Sequence, residues 1–192
     1  NKFEYTKISQ SVLHIINAEL SFVNSRFFKS NILMEIDSNP TFNNVDISWS
    51  SYLSHYGAET ILCYHSKPIF NNVTITNNNN LGVYLLEGCD ASLTNVIMSG
   101  NESIADHGWL KLSNSNPTIT NSIIWGNSPE SIYLATGNEN PNITYSDIEG
   151  GWDGEGNIDL DPLFIDLVNS DYRLSWDNYP IEDATKSPCI DA

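Results

Sequence analysis

Apolar residues recur along this chain in one short motif rather than in long uninterrupted runs. Six eight-residue segments align without gaps, beginning at positions 20, 40, 68, 91, 117 and 141. Their third and eighth positions are apolar in every copy, so we expect both columns to face a common core. The third-position residues are Phe22, Phe42, Phe70, Leu93, Ile119 and Ile143, and the eighth-position residues are Phe27, Ile47, Ile75, Met98, Ile124 and Ile148.

The spacing of the motif indicates the fold. Its copies are 20 to 28 residues apart, and a second apolar run follows most of them, at 31–36, 60–64, 82–86, 108–112 and 132–135. Helical repeats would show a 3.6-residue period, and leucine-rich repeats would show L-x-x-L-x-L; neither is present. We therefore predict an all-β, right-handed parallel β-helix of about six or seven coils, roughly 30 Å long.

The repeat stops near the C-terminus, where acidic residues are concentrated. An uncovered last coil would expose unpaired strand groups, so a covering segment is expected. We predict coils over residues 1–157 and a C-terminal cap at 158–192 packed on the last coil.

The fifth motif position is occupied by the same amide in five of the six copies. An asparagine repeated at one place can hydrogen-bond to its own image in the next coil and satisfy the polar groups of a turn. Asn72 lies in an N-x-T sequence, but as a ladder residue it is expected to be internal. The predicted structural ladder comprises Asn24, Asn44, Asn72, Asn95 and Asn121, with Tyr145 in the last copy.

Charge limits the classes of partner. The formal net charge is −16, with 8 basic against 24 acidic side chains, which argues against nucleic acid and anionic membranes. No apolar run is long enough for membrane insertion. Neutral polysaccharides or cations fit better, although acidity can serve solubility alone.

The first residues lack an initiator Met and a signal-peptide pattern, so we expect a part of a larger chain.

Three cysteines allow two arrangements. Cys63 and Cys89 are 26 residues apart, about one repeat. We favour stacking as small apolar residues in adjacent coils, with a disulfide as the alternative.

Several C-terminal segments carry a family resemblance. Residues 121–127 (NSIIWGN), 145–152 (YSDIEGGW), 156–164 (GNIDLDPLF) and 187–191 (SPCID) resemble the C-terminal part of bacterial secreted right-handed β-helix repeat proteins of the pectate-lyase-like superfamily. The resemblance covers about residues 20–192. It implies an extracellular or bacterial cell-surface location and makes polysaccharide chemistry a class to test.

The residues do not supply a catalytic set for that chemistry. A uronate lyase needs a base beside clustered carboxylates that hold Ca²⁺, and a hydrolase needs convergent carboxylates. Asp106 and His107 lack the companion motifs of polygalacturonases and are interpreted as a turn. We expect a noncatalytic scaffold or adhesin that requires no cofactor. The alternative is a divergent polysaccharide lyase or glycoside hydrolase with its active site mostly upstream.

Two sets of residues remain as candidate sites. Exposed aromatic rings can stack on sugars, and Trp49, Tyr52, Tyr56 and Trp125 are the candidates for glycan binding, although structural roles explain them equally well. Oxygen-bearing side chains at alternate positions are typical of calcium loops: Asp153, Glu155, Asn157, Asp159 and Asp161. This segment departs from the EF-hand pattern, so we favour a capping loop over a calcium site.

Overall fold

A computed structural model describes residues 1–51, 59–104 and 108–190, which fold into strands joined by short corners. No helix in these ranges is long and apolar enough to cross a membrane. The strands are β1 (Lys2–Glu4), β2 (Lys7–Ser9), β3 (Val12–Ile16), β4 (Ser21–Phe28), β5 (Asn31–Glu35), β6 (Thr41–Ser48), β7 (Ile61–Tyr64), β8 (Ile69–Thr76), β9 (Asn79–Asn80), β10 (Val83–Leu86), β11 (Ser92–Ser99), β12 (Glu102–Ser103), β13 (Leu110–Ser113), β14 (Thr118–Thr120), β15 (Ile123–Trp125), β16 (Ile132–Leu134), β17 (Asn142–Thr144), β18 (Asp147–Ile148), β19 (Phe164–Asp166) and β20 (Asp171–Leu174).

Two parallel sheets wind around the core in about six turns, which confirms the predicted β-helix. Sheet A has the order β1-β4-β6-β8-β11-β14-β17; β2 also pairs with β4, and β15 pairs with β11 and β18. Sheet B has the order β16-β13-β10-β7-β5-β3, so each predicted second apolar run is one of its strands. A short third pair, β9-β12, fills one corner.

Both apolar columns of the motif are buried, as predicted, because alternate side chains of a strand point to the same face. In register, identical residues stack on one another. The rings of Phe22, Phe42 and Phe70 are parallel, with centroids 5.3 and 4.9 Å apart, and Phe3 extends the stack at 5.0 Å. Aromatic pairs of this kind contribute about 0.5–1.5 kcal/mol beyond their buried area.

The fifth-position asparagines stand at an outer corner and not inside the coils. All five residues have left-handed backbones, with φ between 49 and 54°: Asn24, Asn44, Asn72, Asn95 and Asn121. Asparagine adopts that conformation more readily than most residues, which explains the column. Asn44 donates to Asn24 at 3.1 Å and Asn95 to Asn72 at 3.0 Å. The expectation that Asn72 is internal was wrong, because its side chain is exposed.

A different asparagine column forms the internal ladder, at the next corner of the coil. Asn78, Asn101 and Asn127 are buried. The side-chain amide of Asn101 donates to Ile75 O at 2.8 Å and to Asn127 Oδ1 at 2.9 Å. Its Oδ1 accepts from the backbone N–H of Asn78 at 3.0 Å. Each amide therefore satisfies main-chain groups of the coil before it, which a corner would otherwise leave unpaired.

Cys63 and Cys89 form a disulfide, so the favoured stacking arrangement was wrong. The register explains why. Cys63 lies opposite Met34 in one neighbouring strand and Leu85 in the other, so its stacking position is occupied by Leu85. Cys89 lies beyond the end of β10, at the following corner, where its sulfur reaches Cys63 from the adjacent coil.

The C-terminal segment first extends the last coil and then turns back along the solenoid. Ile158 donates to Ser146 O at 2.9 Å and accepts from the N–H of Ile148 at 3.0 Å, which adds a final pairing beyond β18. We call residues 159–190 the tail. Its antiparallel hairpin β19-β20 reaches Asn77, which donates to Ser170 at 3.0 Å and accepts from Tyr172 Oη at 3.2 Å. The tail thus contacts sheet A well before the last coil. The division of the chain into coils and cap at residue 158 stays a prediction.

Candidate ligand-binding groove

One row of outward side chains runs along sheet A beneath the tail. The strand register places its members in line: Arg26, Asp46, Thr74, Ile97, Ile123 and Asp147. The row is charged and open at its N-terminal end, apolar in the middle, and ends in a buried carboxylate. Because the tail does not pack tightly on this row, two cavities remain between them, and Ile97 contributes to both.

The first space, which we call the Trp49 cavity, has a volume of about 470 Å³. Its sheet side includes Arg26, Asp46, Trp49 and Thr74, and its tail side includes Asp171, Tyr172 and Arg173. Trp49 is 49% exposed, and φ of 61° at this corner turns its ring away from the core. The result is an accessible aromatic ring beside a polar wall.

The charges around the Trp49 cavity are balanced in two ion pairs. Arg26 Nε lies 2.8 Å from Asp46 Oδ2, and Thr74 Oγ1 donates to Asp46 Oδ1 at 3.1 Å. On the tail side, hydrogen bonds from Arg173 lower the pKa of Asp171 to about 2, so this carboxylate is ionised at any physiological pH. A wall with two cations, two anions and several hydroxyl groups offers donors and acceptors without net charge.

The second space, the Asp147 cavity, has a volume of about 360 Å³ and lies under the end of the tail. Asp147 accepts from the N–H of Leu160 at 3.2 Å and from Cys189 Sγ at 3.1 Å. Burial raises the pKa of Asp147 against the effect of these bonds, and the neighbouring carboxylates of Asp159 and Asp161 raise it further.

Cys189 is held as a neutral thiol by the same surroundings. Burial, followed by the hydrogen bond to Asp147, raises its pKa to about 12. A thiol with such a pKa is a poor nucleophile because the thiolate is scarce at neutral pH. Its role here is to donate a hydrogen bond.

The four aromatic residues predicted to bind glycans differ in where the structure places them. Trp49 lines a cavity, whereas partly exposed Trp125 lies on β15 opposite Ser99 and lines neither cavity. Tyr52 and Tyr56 lie outside the described residues, as do Asp106 and His107. Trp109 is fully buried and belongs to the core.

The side chains of the predicted calcium loop are largely engaged with the protein itself. Glu155 accepts from Tyr145 Oη, Asp159 from the N–H of Gly150, and Asp161 from the N–H of Leu163. Asn157 points toward the last coil, where it donates to Ile143 O at 2.9 Å. Among the described residues, no three Asp, Glu, His or Cys side chains converge as a metal site. Asp153 belongs to a surface depression that also includes Asn157 and Asp159.

Sequence patterns alone did not reveal most of the groove. Arg26, Asp46 and Thr74 occupy the seventh motif position, whose outward direction and register follow from the repeat. That column could have been found by aligning the copies. Asp171, Tyr172 and Arg173 could not, because the path of the tail has no periodic signal.

Comparison with known proteins agrees with the architecture. Residues 9–158, more than half of the chain, match a family model described as a right handed beta helix region, so the chain belongs to the right-handed β-helix family. No curated protein sequence gives a significant match. Among solved structures, trypsin-treated QnrB1, a plasmid-mediated fluoroquinolone resistance protein, is similar over 82% of this chain and 91% of its own, with 12% identity and a TM-score of 0.31. That level of similarity carries no argument about function.

Proposed function

We propose that this chain is a noncatalytic, extracellular β-helix domain that binds a neutral glycan in the Trp49 cavity. One observation carries the proposal: an exposed indole ring stands beside a charge-balanced wall of hydrogen-bonding groups in a space of about 470 Å³. Sugar rings combine a C–H face, which packs on an aromatic surface, with hydroxyl groups that need both donors and acceptors. Small-molecule sites typically measure about 300–1,000 Å³.

Charge supports a neutral ligand over an acidic one. The net charge of −16 repels polyanions such as uronates, and each arginine of the cavity is already paired with a carboxylate. A neutral sugar can hydrogen-bond to these ion pairs without displacing either partner.

The disulfide supports a location outside the cytoplasm. Stable disulfides are typical of secreted and surface proteins, since cytosolic thiols are kept reduced. Cys63 and Cys89 are bonded in the core, where Cys63 is fully buried. A bacterial cell-surface location and a role as scaffold or adhesin belong to the same proposal.

The test is a screen of neutral glycans on an array, followed by calorimetry with the best ligand. Trp49→Ala should weaken binding at least tenfold, which corresponds to about 1.4 kcal/mol. Trp125→Ala removes a comparable surface ring outside the cavity and should leave affinity unchanged. Equal losses in the two variants would contradict the proposal. Release of products from a polysaccharide panel would instead support the alternative of a lyase or hydrolase.

Calcium binding by residues 153–161 is a secondary proposal. The alternation of oxygen-bearing side chains supports it, and Asp153 and Asp159 lie around one surface depression. Calorimetry with Ca²⁺ tests it directly. The absence of binding heat, together with a melting temperature unchanged by chelator, would contradict it.

A further inference from the structure

The Asp147 cavity is lined by apolar and uncharged polar side chains, with one buried acid at its floor. Ile97 and Ile123 of sheet A form one wall, and Leu174 of the tail forms another. The cavity opens past the exposed side chains of Asn121 and Tyr145, so a small molecule in solvent has access to the interior.

The floor carboxylate has no positive partner. Asp147 is 2% exposed, and among the described residues no Lys, Arg or His side chain lies within 4 Å of it. Its contacts are two neutral donors, the N–H of Leu160 and the thiol of Cys189. A carboxylate removed from water without a cation is among the costliest arrangements in a protein interior.

The chemistry of the cavity selects one class of ligand. Anions are repelled by Asp147 and by Asp159 and Asp161 nearby. A metal ion would find a single carboxylate, whose two oxygens already accept hydrogen bonds, and no three acidic, His or Cys side chains converge among the described residues. A neutral apolar molecule would fill the space and leave the carboxylate unpaired. An ammonium group attached to a compact apolar body fits both the carboxylate at the floor and the wall formed by Ile97, Ile123 and Leu174.

We propose that the Asp147 cavity binds a small organic amine, whose ammonium group pairs with Asp147 and whose hydrocarbon part packs between Ile97, Ile123 and Leu174. The site is separate from the Trp49 cavity, and the inference does not rest on glycan binding.

Three ligands of similar size and shape but different charge test the proposal. Calorimetry at pH 7.5 should show binding of benzylamine, at least tenfold weaker binding of benzyl alcohol, and no binding of benzoate. Asp147→Asn, which preserves shape but removes the charge, should weaken benzylamine at least tenfold. Asp177→Asn removes an exposed carboxylate of the tail that does not line the cavity and should change affinity less than twofold.

Two further measurements keep the proposal testable if Asp147→Asn does not fold. Ile123 lies next to Asp147 in register, so Ile123→Lys should place an internal ammonium at the carboxylate and abolish benzylamine binding. In the unaltered protein, affinity should fall as acid protonates Asp147 while the amine stays charged. The titratable groups facing Asp147 are Cys189, Asp159 and Asp161, with Tyr145 at the cavity wall.

Two results would overturn the inference. Equal affinity for benzylamine and benzyl alcohol would show that the carboxylate makes no contribution. Undiminished benzylamine binding in both Asp147→Asn and Ile123→Lys would place the amine elsewhere on this acidic protein.

Discussion

Removal of one amide from the internal ladder should destabilise the whole solenoid. In Asn101→Ala, the carbonyl of Ile75 loses a donor at 2.8 Å and the N–H of Asn78 loses an acceptor at 3.0 Å. Both groups lie in the interior, where water cannot replace the lost partner.

The expected loss follows from these two groups. A buried main-chain group left without a partner costs about 1–3 kcal/mol. Two of them reduce the free energy of unfolding by about 2–6 kcal/mol, a large part of the stability of a typical domain. Asn127 Oδ1 adds little to the loss because it still accepts from the N–H of Asn101 at 3.2 Å.

Urea unfolding followed by tryptophan fluorescence measures this loss. Asn95→Gly is the matched control, since it removes an exposed corner amide, and glycine tolerates the φ of 54° at that position. It should change stability by no more than about 0.5 kcal/mol. A loss below about 1 kcal/mol in Asn101→Ala, or an equal loss in Asn95→Gly, would refute the assignment of the ladder to Asn101.

Three other perturbations test other parts of the structure. Reduction of the Cys63–Cys89 bond should lower the free energy of unfolding by about 3 kcal/mol, measured in urea with and without reductant, because it frees a loop of the unfolded chain. Gly100→Ala puts a methyl group 2.9 Å from Tyr172 Oη at a φ of 64°, which should weaken the contact between the tail and the coils. Limited proteolysis should then cut the tail faster while the coils stay resistant. Unchanged cleavage of the tail would contradict its docking at this position. Burial would raise the pKa of Glu139, but hydrogen bonds from a neighbouring threonine and from backbone N–H groups lower it from 4.5 to about 2. Its stabilisation should therefore be complete above about pH 4.5 and lost toward pH 2, and Glu139→Gln should flatten this part of a stability–pH profile.

The repeat was sufficient to predict the coils but not what lies on them. The Phe42 and Ile47 columns are apolar in every copy, so period and burial followed directly. The predicted fifth-position asparagines do hydrogen-bond between coils, but at the surface. The buried ladder was missed because two asparagine columns exist for different reasons. Asn95 is selected by its left-handed backbone, whereas Asn101 is selected by buried hydrogen bonds, and both patterns look alike in sequence.

The groove was predicted only in part. The repeated motif shows which residues of adjacent coils lie side by side, but it does not show where the tail packs on them. Trp49 was predicted as a candidate sugar-binding ring near a corner, although the strand pattern did not fix its direction. Its neighbours from the tail, Tyr172 and Arg173, come from a segment without periodicity, and the hydrogen bond of Tyr172 to Asn77 spans 95 residues of chain. The acid at the floor of the second cavity, Asp147, is a motif residue, but its burial depends on the same tail.

The path of the tail also bears on how the chain unfolds. In a solenoid whose coils touch only their neighbours, terminal coils can fray one at a time. Here the contacts of Asn77 with Ser170 and Tyr172 join the corner after β8, in the middle of the solenoid, to the tail hairpin across separations of 93 and 95 residues. The last coils therefore cannot unfold one at a time until these two hydrogen bonds break. Residues 77–190 should therefore exchange their most protected amide hydrogens in one cooperative step, with coils N-terminal to Asn77 opening separately.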